Sequence, residues 1–294
     1  MLKADTARNR LLGIGLVSIT FLCFAVLDTS AKALVRALPV IEVVWLRFVV
    51  HVLFTGALLG PRHGRALLRV SHPWLQLLRG TMLFGMTALN FWALQYLQLA
   101  ETGAIQFAVP LLIALFGAWL LGERLDAGRW AAIAAGFAGV LLIVRPGTHA
   151  FHPAILLSIG NAVLYALFNL LTRRLAASDP PEATQFLSAL AAACLLTPFG
   201  IAAWQTPEGP LQWTLVATMG IFGGLGHWLL AVAHRFAPAS VLAPFLYQQI
   251  VWMTLLGWWV FGDVPGWPVV AGTAVVIASG LYLIVRERAR GEAA

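Results

Sequence analysis

The sequence predicts an all-α integral membrane protein of ten transmembrane helices, arranged as two inverted five-helix repeats. Three observations carry this. Charged residues make up 11% of the 294-residue chain and apolar ones 60%, where soluble domains carry about 25% charge; the mean hydropathy is +0.84. The apolar residues also fall into runs long enough to cross a bilayer, and the chain resembles itself when shifted by about half its length. So little charge cannot cover the surface of a soluble fold, which leaves lipid as the solvent. Cys23 and Cys194 both sit in apolar runs, so neither a disulfide framework nor a metal-thiolate cluster is expected. No cofactor is expected either.

A helix crossing a core about 30 Å thick needs about 20 apolar residues. Such runs are expected at 11–33, 40–60, 74–97, 101–121, 129–145, 153–173, 183–203, 212–235, 238–261 and 267–286. The first follows Lys3, Arg8 and Arg10 as a signal peptide would, but its apolar run is long for one and the repeat needs it as a span. Breakers separate the others: Gly60-Pro61 closes the second, His72-Pro73 opens the third, and Pro146-Gly147 closes the fifth. Asp179-Pro180-Pro181 divides the sixth from the seventh, Pro207 and Gly209-Pro210 divide the seventh from the eighth, and Pro265-Gly266 opens the tenth.

With a cytoplasmic N-terminus, most basic residues fall on the inner side; Lys32, Arg36 and Arg145 fall outside and Arg47 lies within a span. Inner loops retain Lys and Arg, so both termini are expected in the cytoplasm. Spread over short loops, these charges form no single patch, and a nucleic-acid partner is excluded.

A shift of 141 lays Phe24-Ala25-Val26-Leu27-Asp28 over Tyr165-Ala166-Leu167-Phe168-Asn169, Lys32 over Arg173 and Pro39 over Pro180. It also lays Gly139–Arg145 over Gly280–Arg286, and a shift of 140 lays Gly122-Glu123 over Gly262-Asp263. The expected halves are 1–147 and 148–294. Five spans per half is an odd number, so the second half starts on the other side and the repeat is inverted. Inverted repeats are a common build of secondary transporters.

The chain resembles the drug/metabolite transporter superfamily in its EamA-type branch. The resemblance rests on Pro110…Gly122-Glu123, on Gly136-Phe137-Ala138-Gly139-Val140 and on Arg47; Ile250 and Asp263 make the second-half copy looser. Within that branch, Asp28…Lys32, Leu78-Arg79-Gly80 and Ala243-Pro244-Phe245…Tyr247 resemble bacterial carriers of S-adenosylmethionine and of riboflavin. The resemblance implies a secondary active carrier of a small polar or aromatic-bearing metabolite (like riboflavin, S-adenosylmethionine or an amino acid) in the bacterial inner membrane. Its partners are then the substrate and the bilayer. Ala135 and Gly139 suit close packing within the chain or against a second copy, which leaves a homodimer open.

Polar groups inside a bilayer are costly and tend to face the bundle interior. Asn161, Tyr165 and Asn169 are four apart on the sixth span and share a face, either lining a pathway or bonding to neighbouring helices. Thr102, Gln106 and Pro110 form a similar stripe on the fourth span, where Pro110 frees a carbonyl near Gln106. Pro244, Tyr247 and Gln248 do likewise on the ninth. Asn90 adds an amide to the third span; Trp92 beside it either stacks on a substrate ring or belongs to an interfacial belt, to which Tyr96 is assigned. His227 follows Gly223-Gly224-Leu225-Gly226 in the eighth span and serves as a hydrogen-bonding or a titrating group. Asp28 and Arg47 lie at similar depth and are expected to pair, as a structural or a gating couple. Lys32 is expected to snorkel, and Glu123 and Asp263 to anchor span ends. The alternative, an intramembrane enzyme on a lipid or small metabolite, calls for a nucleophile–base pair or a ligand cluster, and no such motif occurs.

Overall fold

The computed structural model describes residues 6–121, 125–149, 151–176 and 178–291. Lys3, Gly122, Glu123 and Arg124 therefore lie outside the described residues, as do the side chains of Arg288 and Arg290. Among the described residues the chain is all-α, without strands.

Helix α1 (Ala7–Leu34) starts where the Thr6 hydroxyl accepts the Asn9 amide at 3.2 Å, a side-chain cap on otherwise unpaired N–H groups. It begins one turn before the apolar run, because a helix end in water tolerates Arg8 and Arg10. Helix α2 (Val40–His63) follows Pro39, runs through Gly60-Pro61 instead of closing there, and stops at Gly64, whose φ of +50° few other residues adopt. Helix α3 (Pro73–Leu94) opens on its proline, where no N–H is needed.

The fourth apolar run is not one helix. Helix α4 (Leu99–Gln106), closed at its start by a Gln98–Glu101 capping box, ends two residues before α5 (Val109–Leu121) begins. Pro110 cannot donate to the Gln106 carbonyl, and the ladder breaks there. Helix α6 (Ala127–Val144) is capped by Asp126, whose carboxylate accepts the Arg129 amide at 3.0 Å. Then come α7 (Ile155–Leu175), α8 (Pro181–Ala202) and α9 (Gly209–Phe236). The ninth run is also interrupted: α10 (Ala239–Leu242) passes through a 3₁₀ stretch, Ala243–Tyr247, into α11 (Gln248–Phe261). Helix α12 (Trp267–Gly291) ends the description.

Among the described residues, eight helical stretches are long and apolar enough to cross a membrane, α4 and α5 counting as one. Helix α3, carrying Gln76, Arg79 and Asn90, is less apolar, and α11 is shorter. Helix α1 packs along α9, and α7 along α3; α2 leans on α9, and α8 on α3. Helix α1 also meets α11 as α7 meets α5, while α2 pairs with α8 and α6 with α12. Close approach depends on small residues. Gly139 of α6 packs within the chain, where a Cβ would lie 2.8 Å from the Gly272 carbonyl oxygen of α12.

Candidate functional site

Helices α1, α2, α3, α4, α7, α9 and α11 surround a cavity of about 770 Å³ of empty space, its open mouth included. Asp28, Arg47, Asn90, Gln106, Asn161, Tyr165 and His227 all stand on its wall. The α4–α5 break follows Gln106 directly, so irregular backbone lies beside the cavity, where a broken ladder is tolerated in a membrane. The apolar part of the wall includes Phe21, Phe24, Phe91 and Met86. Rings and amides together suit a molecule with a flat apolar part and polar edges.

Four residues proposed from spacing stand off this wall. Trp92 is 46% exposed on the outer surface of the bundle, because Asn90 faces α1 and a residue two positions on points nearly the opposite way. Asn169 turns its amide onto the Tyr165 carbonyl of its own helix at 2.7 Å. Deeper along α7 the space is filled by Arg79, which donates to Thr172 Oγ1 at 2.8 Å and packs over the Phe168 ring at 4.1 Å. Tyr247 ends the 3₁₀ stretch and Gln248 follows it, and the three residues per turn of that stretch rotate the register. As a result Tyr247 packs edge-on to Phe107 at 5.1 Å with its hydroxyl against Gly280, and Gln249 takes the place on the wall.

Asp28 and Arg47 share the cavity but are not joined by an ion pair. The Asp28 carboxylate accepts from Asn90 Nδ2 at 2.9 Å, while Nε and Nη1 of Arg47 are buried without a partner. A hydrogen bond thus joins Asp28 to Asn90, between α1 and α3, and Arg47 acts on Asp28 only through its charge. Similar depth on neighbouring helices did not dictate contact, because the azimuth of each side chain is set by packing. His51 was not singled out by sequence, although it lies one turn from Arg47 on the same face of α2. Its ring stacks on His227 with centroids 5.9 Å apart.

Lys32 does not snorkel. Its side chain is 3% exposed, and its ammonium donates to Asp263 Oδ2 at 2.5 Å and to the Leu97 carbonyl at 2.9 Å. Asp263 is therefore an ion-pair partner as well as an end anchor. One turn beyond Asp28, this contact ties α1 to the α3–α4 and α11–α12 connections. Toward the opposite end, Arg79 donates to Ser188 Oγ at 2.6 Å and to the Thr184 carbonyl at 3.3 Å, linking α3, α7 and α8. The Asp179 carboxylate accepts from the Ser71 amide and from Gln76 Nε2, each at 2.7 Å.

A membrane bundle whose helices converge on a polar cavity, with charged groups held open toward it, has the build of a transport protein. The chain belongs to the EamA-like transporter family, within the drug/metabolite transporter superfamily: the family profile matches residues 11–145 and again 152–286. It is a multi-pass membrane protein. Over 97% of its length it is 26% identical to an S-adenosylmethionine uptake transporter of Rickettsia felis, covering 96% of that protein. It is 30% identical to a riboflavin transporter of Vibrio cholerae over 65% of each chain. A solved crystal structure, 25% identical, superposes with a TM-score of 0.64 over 96% of this chain and 98% of the other.

Proposed function

We propose that this protein is a secondary active carrier that moves a small, ring-bearing polar metabolite across the bacterial inner membrane by alternating access. The observation that carries this is the polar cavity, whose wall draws on α1–α4 from one half and on α7, α9 and α11 from the other. The substrate-lining residues in this reading are Asn90, Gln106, Asn161, Tyr165 and His227, with Gln249 in the place expected of Gln248. The named relatives support a cargo class that resembles S-adenosylmethionine or riboflavin.

In this reading the chain has ten spans, with α3 and the interrupted α10–α11 stretch added to the eight most apolar ones. The helix pairing supports an inverted repeat, since α1 on α9 and α7 on α3 are images of each other under the half-chain shift. So are α2 on α9 and α8 on α3, while α2–α8 and α6–α12 are each their own image. Both termini lie inside, following the distribution of basic residues. The Lys32–Asp263 contact then closes the outer end of the cavity and breaks when that end opens.

Counterflow in proteoliposomes tests the proposal. Vesicles preloaded with unlabelled S-adenosylmethionine or riboflavin should take up the labelled compound with saturation and recover it chemically unchanged. Uptake that rises linearly with concentration would point to a channel, and altered product to an enzyme.

A further inference from the structure

The charge of the cargo is legible in a buried cation that the chain leaves open. Arg47 is 4% exposed. Its guanidinium carbon lies over the Phe48 ring, 4.3 Å from the centre, and a guanidinium packed on a ring still presents N–H groups at its edge. Two of its nitrogens, Nε and Nη1, have no partner. One turn away, His51 is 1% exposed with neither ring nitrogen hydrogen-bonded. A neutral imidazole carries one N–H, so His51 adds an unpaired donor, and its ring lies on His227, itself part of the cavity wall.

The Gly223-Gly224 pair of α9 brings these groups together. A Cβ on Gly224 would meet the His51 ring at 3.2 Å, and one on Gly223 would stand 3.7 Å from Arg47 Nη2. Asp28, the carboxylate on the cavity wall, attracts Arg47 from beyond ion-pair distance, and its hydrogen bond comes from Asn90, so the Arg47 donors stay open. A buried guanidinium whose N–H donors are unmet is destabilising unless a ligand completes it.

We propose that Arg47, with His51 and His227 beside it, forms an oxyanion subsite, and that the cargo carries a carboxylate or a phosphate that docks there. The inference rests on the carrier reading and narrows it to ring-bearing metabolites with an acidic group.

The test uses two matched pairs on the purified full chain: S-adenosylmethionine against its decarboxylated analogue, and riboflavin 5′-phosphate against riboflavin. The carboxylate- or phosphate-bearing member of one pair should bind roughly ten- to hundredfold tighter than its partner, the range expected of charge-assisted hydrogen bonds. Which pair responds separates carboxylate from phosphate. Arg47→Gln should erase that preference while the empty protein melts close to the parent, because the donors it removes are unpaired. Arg47→Lys, which keeps charge but not the planar fork, should retain part of it.

Equal binding within both pairs overturns the subsite, as does binding by neither the carboxylate- nor the phosphate-bearing member. So does an Arg47→Gln protein that melts well below the parent yet keeps the preference. The carrier reading fails separately: a carboxylate- or phosphate-bearing compound that binds with that preference but shows no counterflow would sink transport and leave the subsite standing. Counterflow of riboflavin with no preference within either pair would do the reverse.

Discussion

Replacing Asp263 with Asn should destabilise the protein more than replacing Lys32 with Met, although both changes break the same ion pair. The asymmetry follows from burial. The Lys32 side chain is 3% exposed and that of Asp263 19%. Removing one member of a fully buried pair costs about 3–5 kcal/mol, because the other charge is left unpaired. Asp263→Asn strands the buried ammonium, which keeps the Leu97 carbonyl at 2.9 Å and the Phe261 ring at 4.9 Å; with these contacts and the amide oxygen remaining, about 2–3 kcal/mol is expected. Lys32→Met leaves a carboxylate that water reaches, so about 1 kcal/mol is expected, nearer the surface-pair range. The double variant should recover part of the loss, with a coupling energy of about 1 kcal/mol or more. Denaturant unfolding in mixed micelles measures the cycle. A cysteine placed at Thr102, in a background lacking Cys23 and Cys194, reads the functional side: in intact cells, Asp263→Asn should speed its labelling by an impermeant reagent. Additive losses would refute the coupling, and a larger loss from Lys32→Met would refute the burial argument. Unchanged labelling would refute an outer closure at this contact.

Asn161→Ala should weaken substrate binding by roughly 5- to 150-fold, the cost of one lost buried hydrogen bond, while the empty protein melts as before; unchanged affinity with a lower melting temperature would make Asn161 a purely structural amide. At the loop before α8, burial of Asp179 opposes its charge, but the hydrogen bonds from Ser71 and Gln76, with His72 nearby, outweigh it and hold the carboxyl below the usual carboxylate range. A depressed folded-state pKa means that the stabilisation is present above the unfolded value of about 4 and is lost as pH falls through the folded one. The parent should therefore lose stability more steeply below about pH 4 than Asp179→Asn does, and parallel acid melting curves would refute this.

The fold class was legible because it follows from composition and run length: a chain with so little charge must bury its backbone in helices and face lipid, whatever its helices pack against. The end signals were legible only in part. Pro73 opens α3 as expected, but Gly60-Pro61 does not close α2, which runs through Pro61 to His63 and stops at Gly64. The positions of Asp28, Arg47, Asn90, Gln106, Asn161, Tyr165 and His227 on the cavity wall follow from the cost of placing polar groups toward lipid. What that rule does not supply is azimuth and partner. A polar residue must turn inward, but whether it meets the cavity, its own backbone or another helix depends on how neighbouring helices rotate. Asn169 met its own helix, Tyr247 met Phe107, and Asp28 took its hydrogen bond from Asn90, with Arg47 beyond ion-pair distance. The 3₁₀ stretch before Gln248 exchanged Gln248 for Gln249, since a local change of winding moves every later side chain. Lys32 found Asp263, 231 residues away, and the stacking of His51 on His227 joined two helices that no local pattern connects. Those contacts depend on several helices meeting at once, and only the packed bundle specifies them.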